Sequence, residues 1–282
     1  MGILAPPDTS AKANWRYAQH LGRAAAGGII FSLPILMTME MWWLGFSLQR
    51  VMLMQFVAVN FLVLVGLSRL SGFEETQSLG EDVLDAFAAY GVAALASLML
   101  LAAFGIVTSD MHAGEIVGKV AIEAVPASFG AMLAGKQLGA NGGEEVGNER
   151  ERASYAGQLF LMAAGALFLA FSVAPTEEMM LISFRMGPWH SLALIALSML
   201  LLHALVYTVG FKGQQKPQGA GGAMSIFLRF TLVGYALAVL VSLYLLWTFG
   251  RVEGSHPVQI VSMVAVLAFP GALGAAIARL VM

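Results

Sequence analysis

Residues 115–135 read EIVGKVAIEAVPASFGAMLAG, an apolar run interrupted by Glu115, Lys119 and Glu123. Whether this stretch crosses a membrane decides between seven crossings and eight. It also decides whether the two halves of the chain share one orientation. A charged side chain inside a hydrocarbon core costs roughly 3 kcal/mol on insertion scales, so a hydropathy count alone passes over the segment.

The setting is a membrane. Of 282 residues, 59% are hydrophobic and 11% charged, against about 45–50% and 25% in soluble domains. The apolar residues fall in blocks of about 20, the length that crosses a ~30 Å hydrocarbon core as a helix. Breakers place the spans at 24–46, 50–71, 84–107, 115–135, 157–182, 188–210, 225–249 and 258–281. Residues 1–22 lack a basic stretch followed by an apolar core, so no cleaved signal peptide is expected. The net charge of −2 implies no nucleic acid. With no cysteine, disulfides and thiolate sites are excluded.

Two signals make 115–135 a span. With eight spans, one side of the membrane carries Lys12, Arg16, Arg23, Arg69, Lys136, Arg150, Arg152, Lys212, Lys216, Arg229 and Arg279, and the other only Arg50, Arg185 and Arg251. Short cytoplasmic loops are enriched in Lys and Arg, which puts both termini in the cytoplasm. The second signal is an internal repeat. At an offset of 138, Ala26-Gly27 falls on Ala164-Gly165, Thr38 on Thr176, Glu40-Met41 on Glu178-Met179, Phe46 on Phe184 and Gly72-Phe73 on Gly210-Phe211. At 145, Tyr90 meets Tyr235, Ser97 meets Ser242 and Phe104-Gly105 meets Phe249-Gly250; at 144, His112, Pro126 and Gly130 meet His256, Pro270 and Gly274. The partner of 115–135 is then the strongly apolar 258–281.

The fold class that follows is an all-α membrane protein of eight transmembrane helices, arranged as two parallel four-helix repeats about a pseudo-twofold along the membrane normal. Its parts are a cytoplasmic N-terminal segment 1–23, a first repeat 24–135, a Gly-rich charged cytoplasmic linker 136–156 and a second repeat 157–282. Residues 212–222, KGQQKPQGAGG, read as a flexible cytoplasmic loop.

Candidate chemistry lies in the acids within spans. The pseudo-twofold relates Glu40 to Glu178, with Thr38 and Thr176 about half a turn away and Glu177 alongside. Two carboxylates brought together in low dielectric share a proton or hold a cation, and carboxylate with hydroxyl oxygens suits hard cations. The bland alternative leaves each glutamate at the interface, beside the aromatic belt of Trp42 and Trp43. Pro34 and Pro175, shortly before these glutamates, could free backbone carbonyls. Glu115, Lys119 and Glu123 at i, i+4, i+8 share a helix face. They form either a self-neutralised ladder or the polar wall of a cavity in which Lys119 tunes the acids. Asp110 and His112, with Glu115, belong to an outer vestibule or are simply solvated. His203, deep in a span, is a helix-packing hydrogen bonder or a proton relay. Glu74, Glu75, Glu81, Asp82 and Asp85 form a cytoplasmic acidic stretch. No hydrolase, metalloprotease, P-loop or dinucleotide motif is present, so no enzyme is expected.

The segments PILMTMEMWW (34–43), GFEET (72–76) and APTEEM (174–179) resemble a family of uncharacterised bacterial multi-span integral membrane proteins known only as a domain of unknown function. The resemblance covers most of the chain. It implies a bacterial inner-membrane location and a small partner membrane protein, and supplies no catalytic residue. The leading functional expectation is a cation channel or a cation- or proton-coupled transporter with a carboxylate site between the repeats, and no cofactor beyond a bound monovalent or divalent cation. The alternative is a non-transporting sensor or assembly subunit binding a partner protein, lipid or pigment. The expected partners are the lipid bilayer, an inorganic cation or proton, and a second copy in a homo-oligomer.

Overall fold

The computed structural model describes residues 9–71, 78–137, 155–208, 224 and 227–281. Within them the chain is all helical. The first half runs α1 (Thr9–Leu36), α2 (Met39–Ser47), α3 (Arg50–Ser71), α4 (Leu79–Ala103) and α5 (Ala113–Gln137). The second runs α6 (Tyr155–Val173), α7 (Glu177–Arg185), α8 (Pro188–Thr208), a π-helical turn (Phe227–Leu232) leading into α9 (Val233–Thr248), and α10 (Pro257–Val281). Most of the linker (138–154), the loop 212–222, both Gly-Phe pairs at 72–73 and 210–211, and Glu74 and Glu75 lie outside the described residues.

Seven of these helices are long and apolar enough to cross a membrane, and eight if α1 and α2 together count as one broken span. The doubtful segment of the sequence is not the doubtful one in space. Residues Ala113–Ala134 qualify as a span and are the most buried of the seven. Their low hydropathy reflects a helix wrapped by protein, which lipid does not have to solvate. The ambiguity sits instead in the first span, because α1 and α2 meet at a 91° bend.

Two features explain the break. Pro34 lies inside α1 and has no N–H for the intrahelical ladder. Thr38 then adopts an extended conformation, φ −93° and ψ 126°. Thr38 donates twice to the Ile35 carbonyl, from its N–H at 2.9 Å and its hydroxyl at 2.6 Å. The Trp42 indole donates to the Leu36 carbonyl at 2.6 Å. In the second half the chain also leaves its helix before a nine-residue one: Thr176 is extended, and its hydroxyl donates to Val173 at 2.8 Å. There the carbonyl of Pro175 accepts from the Arg251 guanidinium at 2.7 Å.

The Phe-Gly pairs have a definite physical role. Gly105 and Gly250 have φ of 71° and 68°, the left-handed region that favours glycine. Each closes a helix end with the same two bonds: Gly105 N to Ala102 O and Ile106 N to Leu101 O after α4, and Gly250 N to Trp247 O and Arg251 N to Leu246 O after α9.

Within each half, glycine sets the closest approach. A Cβ at Gly27 would overlap the Gly130 carbonyl and Ala134, and one at Gly165 would overlap the Gly274 carbonyl and Ala278. So α1 lies against α5, and α6 against α10, at backbone contact distance, where van der Waals packing drives helix association in lipid. The halves meet along a different surface. Phe56 stacks on Phe171 at 5.2 Å, Phe249 packs edge-on to Phe56, and Phe168 contacts Phe31 and Phe129.

Gly130→Ala should therefore destabilise the purified protein by about 1–3 kcal/mol through overpacking, measured as a lower thermal midpoint in detergent. Gly22→Ala, with nothing within 4 Å of its added Cβ, should be neutral or raise stability by up to about 1 kcal/mol through helix propensity.

Candidate functional site at the break in the first span

The buried face of α5 defines the site. Gly28 of α1 packs against Ala127, and Gly45 of α2 packs against Gly118 and Lys119. Glu123 lies one turn from Ala127 and one turn from Lys119 on the same stripe. It therefore lies on α5 between the stretch that meets α1 and the stretch that meets α2. Ile35, Leu36 and Met41, on either side of the break, are buried. Glu123 is fully buried, and among the described residues both its carboxylate oxygens lack a hydrogen-bond partner.

Lys119 does not serve as its partner. The ammonium pairs with Glu115 at 2.7 Å, contacts the Ile106 carbonyl at 3.4 Å and lies 5.6 Å from the centre of the Phe46 ring. The i, i+4, i+8 ladder is thus divided: Glu115 neutralises Lys119, and Glu123 is left alone. Burying an ionised carboxylate without compensation is so costly that the group takes up a proton or a cation. The first half carries other polar groups inside. Asn60 of α3 donates to the Ser128 hydroxyl at 3.1 Å, leaving its own carbonyl oxygen buried and unpartnered. The Tyr90 hydroxyl donates to the Ala121 carbonyl at 3.0 Å. In the second half, the residues at the repeat positions of Lys119 and Glu123 are Met263 and Leu267, both fully buried.

The remaining sequence-predicted residues lie elsewhere. Glu40 is half-buried in the first turn of α2; Glu177 and Glu178 are exposed in the first turn of α7. Acids there favour the positive end of the helix dipole. No hydrogen bond or ion pair among the described residues joins Glu40 to Glu178, and the seam between the halves is lined by phenylalanine. Thr38 and Thr176 direct their hydroxyls to backbone carbonyls at the two breaks.

Asp110 and His112 are exposed on the α4–α5 turn. The Thr108 hydroxyl, and then the backbone N–H of Asp110, hold the Asp110 carboxyl below its ordinary range. His203 shares a 2.8 Å hydrogen bond with Thr231 of the π-helical turn. Asp82 is buried and, with Asp85, accepts from the Ser68 hydroxyl, while Arg69 lies 3.6 Å from Asp82.

Sequence reasoning missed Asn60, Ser128, Trp42 as a hydrogen-bond donor, and Arg251. Asn60 is the only asparagine within a predicted span, a signal that could have singled it out. Nothing in the sequence connects Trp42 or Arg251 to the breaks.

The fold and this buried site define a polytopic α-helical membrane protein with an acid in its interior. Residues 20–282 match the family described as putative integral membrane protein (DUF2391). The chain belongs to that family. No curated protein and no solved structure matches the chain.

Removing only Glu115 leaves Lys119 buried without its counter-charge. Glu115→Gln should therefore cost roughly 1–3 kcal/mol of stability. The double variant Glu115→Gln with Lys119→Met, which copies Gln259 and Met263 of the second half, should recover most of that loss. A thermodynamic cycle from chemical denaturation in mixed micelles checks the coupling.

Proposed function

We propose that the protein is a cation- or proton-coupled transporter or channel whose charge-binding group is Glu123. The observation that carries this reading is a fully buried carboxyl with neither oxygen partnered, on the helix against which the broken first span packs. Intramembrane acids are functional by default, and transport folds commonly place their sites where a helix is discontinuous. No group of three or more His, Cys, Asp or Glu able to hold a metal occurs among the described residues.

The repeat reading supports the same view. Two parallel four-helix units explain why an extended threonine before a nine-residue helix, the Phe-Gly helix ends and the glycine contacts recur at the related offsets of 138, 145 and 144. On this reading the second unit is a structural counterpart, with Leu267 in the place of Glu123. Glu40, Glu177 and Glu178, with Asp110 and His112, surround the outer mouth, and both termini are cytoplasmic in a bacterial inner membrane. On this reading the conducting route runs within the first unit, which the phenylalanine seam between the units supports. The same seam is what favours the second reading, a non-transporting assembly subunit that binds a small partner membrane protein, because it resembles a structural core.

Ion flux in proteoliposomes, screened across H⁺, Na⁺, K⁺ and Ca²⁺, tests the proposal. Glu123→Gln should reduce flux to background, while Glu40→Gln with Glu178→Gln should retain it within about tenfold, a change of about 1.4 kcal/mol. Wild-type vesicles that pass none of these ions would contradict transport, and flux lost only in the Glu40/Glu178 variant would move the site to those acids.

A further inference from the structure

Resting on the transport reading, we infer that the species bound at Glu123 is a proton and not a desolvated metal cation. The argument is one of ligand supply. A hard cation stripped of water needs about six or more oxygen ligands. The break in the first span is the nearest irregular backbone to α5, and protein donors already engage three of its carbonyls. Met37 N–H takes Leu33 O at 3.2 Å, Thr38 takes Ile35 O with two donors, and the Trp42 indole takes Leu36 O. The nearest acid on the same face, Glu115, is held by Lys119. Among the described residues of the first half, the buried side-chain oxygens without a partner are the two of Glu123, Asn60 Oδ1 and Ser97 Oγ, fewer than a stripped cation requires.

Lys119 lies one turn from Glu123 on the same face, where Glu115 neutralises it at 2.7 Å. The other charged or titratable groups on the elements packed around α5 are few. They are Tyr90, with Glu81, Asp82 and Asp85 at the far end of α4; Glu40 on α2; and Arg50 and Arg69 at the two ends of α3. Between Ala24 and Leu36, α1 carries none. A proton satisfies Glu123 without any of them. It passes from hydronium to one carboxylate oxygen, leaving water and a neutral carboxyl, and the reverse step releases it.

Infrared difference spectroscopy on the full chain in lipid vesicles tests the bound proton. The expected result is a protonated-carboxyl carbonyl band at neutral pH that shifts in D₂O, is absent in Glu123→Gln, and is unchanged on adding Na⁺, K⁺ or Ca²⁺. An ionised Glu123, or a band removed by one of those cations, overturns the inference. A parallel flux assay uses choline buffers free of Na⁺ and K⁺ and reads internal pH with a dye. Wild type should carry protons, Glu123→Gln should not, and Glu123→Asp should retain flux within about tenfold. Glu123→Leu, which copies Leu267, confirms by its elution as a single species that losing the acid leaves the fold intact. Flux that requires Na⁺ or K⁺ and disappears in Glu123→Gln overturns the proton assignment while leaving transport standing. A protonated Glu123 in a chain that moves no ion supports the bound proton and overturns the transport reading.

Discussion

Inside a bilayer every backbone carbonyl must find a donor within the protein, so a helix that breaks there must be met by side chains. That constraint governs the first span. Where α1 stops at Leu36, Thr38 and Trp42 supply the donors, and the chain can turn through 91° without an orphaned group among these carbonyls. The turn brings Gly45 of α2 onto the start of α5 while α1 continues against its middle. Glu123 is enclosed between them.

The two halves solve this problem with different donors. In the second half the break carbonyl of Pro175 is held by Arg251, a charged and forked donor on the α9–α10 turn. In the first half the corresponding stretch is held by an indole from its own short helix. Polar groups are likewise unequal. The first half buries Glu123, Lys119, Asn60 and Ser128, whereas Leu267, Met263, Ser198 and Ala272 stand at the matching offsets. The first half buries more charge, and both halves carry a tight glycine contact.

Much of this fold was legible in the sequence, for reasons that differ by element. The fourth span was recovered because Lys and Arg placement and repeat matching do not depend on local hydropathy, the one quantity that its burial distorts. The Phe-Gly pairs were visible as matches, but their meaning lies in a positive φ that only coordinates reveal. The break at Met37–Thr38 was hidden because the residues on both sides are apolar and a hydropathy window runs straight through them. Thr38 and Glu40 drew notice as a ligand set; their shared position reflects a helix end followed by a helix start. The direction in which Glu40 points depends on the 91° bend, which no periodicity encodes. Spacing also could not decide the partner of Lys119, since Glu115 and Glu123 both lie four residues from it. The structure pairs it with Glu115, and that choice is what isolates Glu123.

The account depends on the register that places Glu123 at the break, and this register can be read by a single cross-link. The chain has no cysteine, so an engineered pair reports without background. A Cβ at Gly28 would lie 3.8 Å from that of Ala127, within the span of about 3.5–4.5 Å that a disulfide bridges. Gly28→Cys with Ala127→Cys should oxidise to an intramolecular disulfide in native membranes, and Gly28→Cys with Val120→Cys, two turns further along α5, should not. Cross-linking of the second pair in preference to the first would shift α1 by two turns against α5 and remove Glu123 from the break.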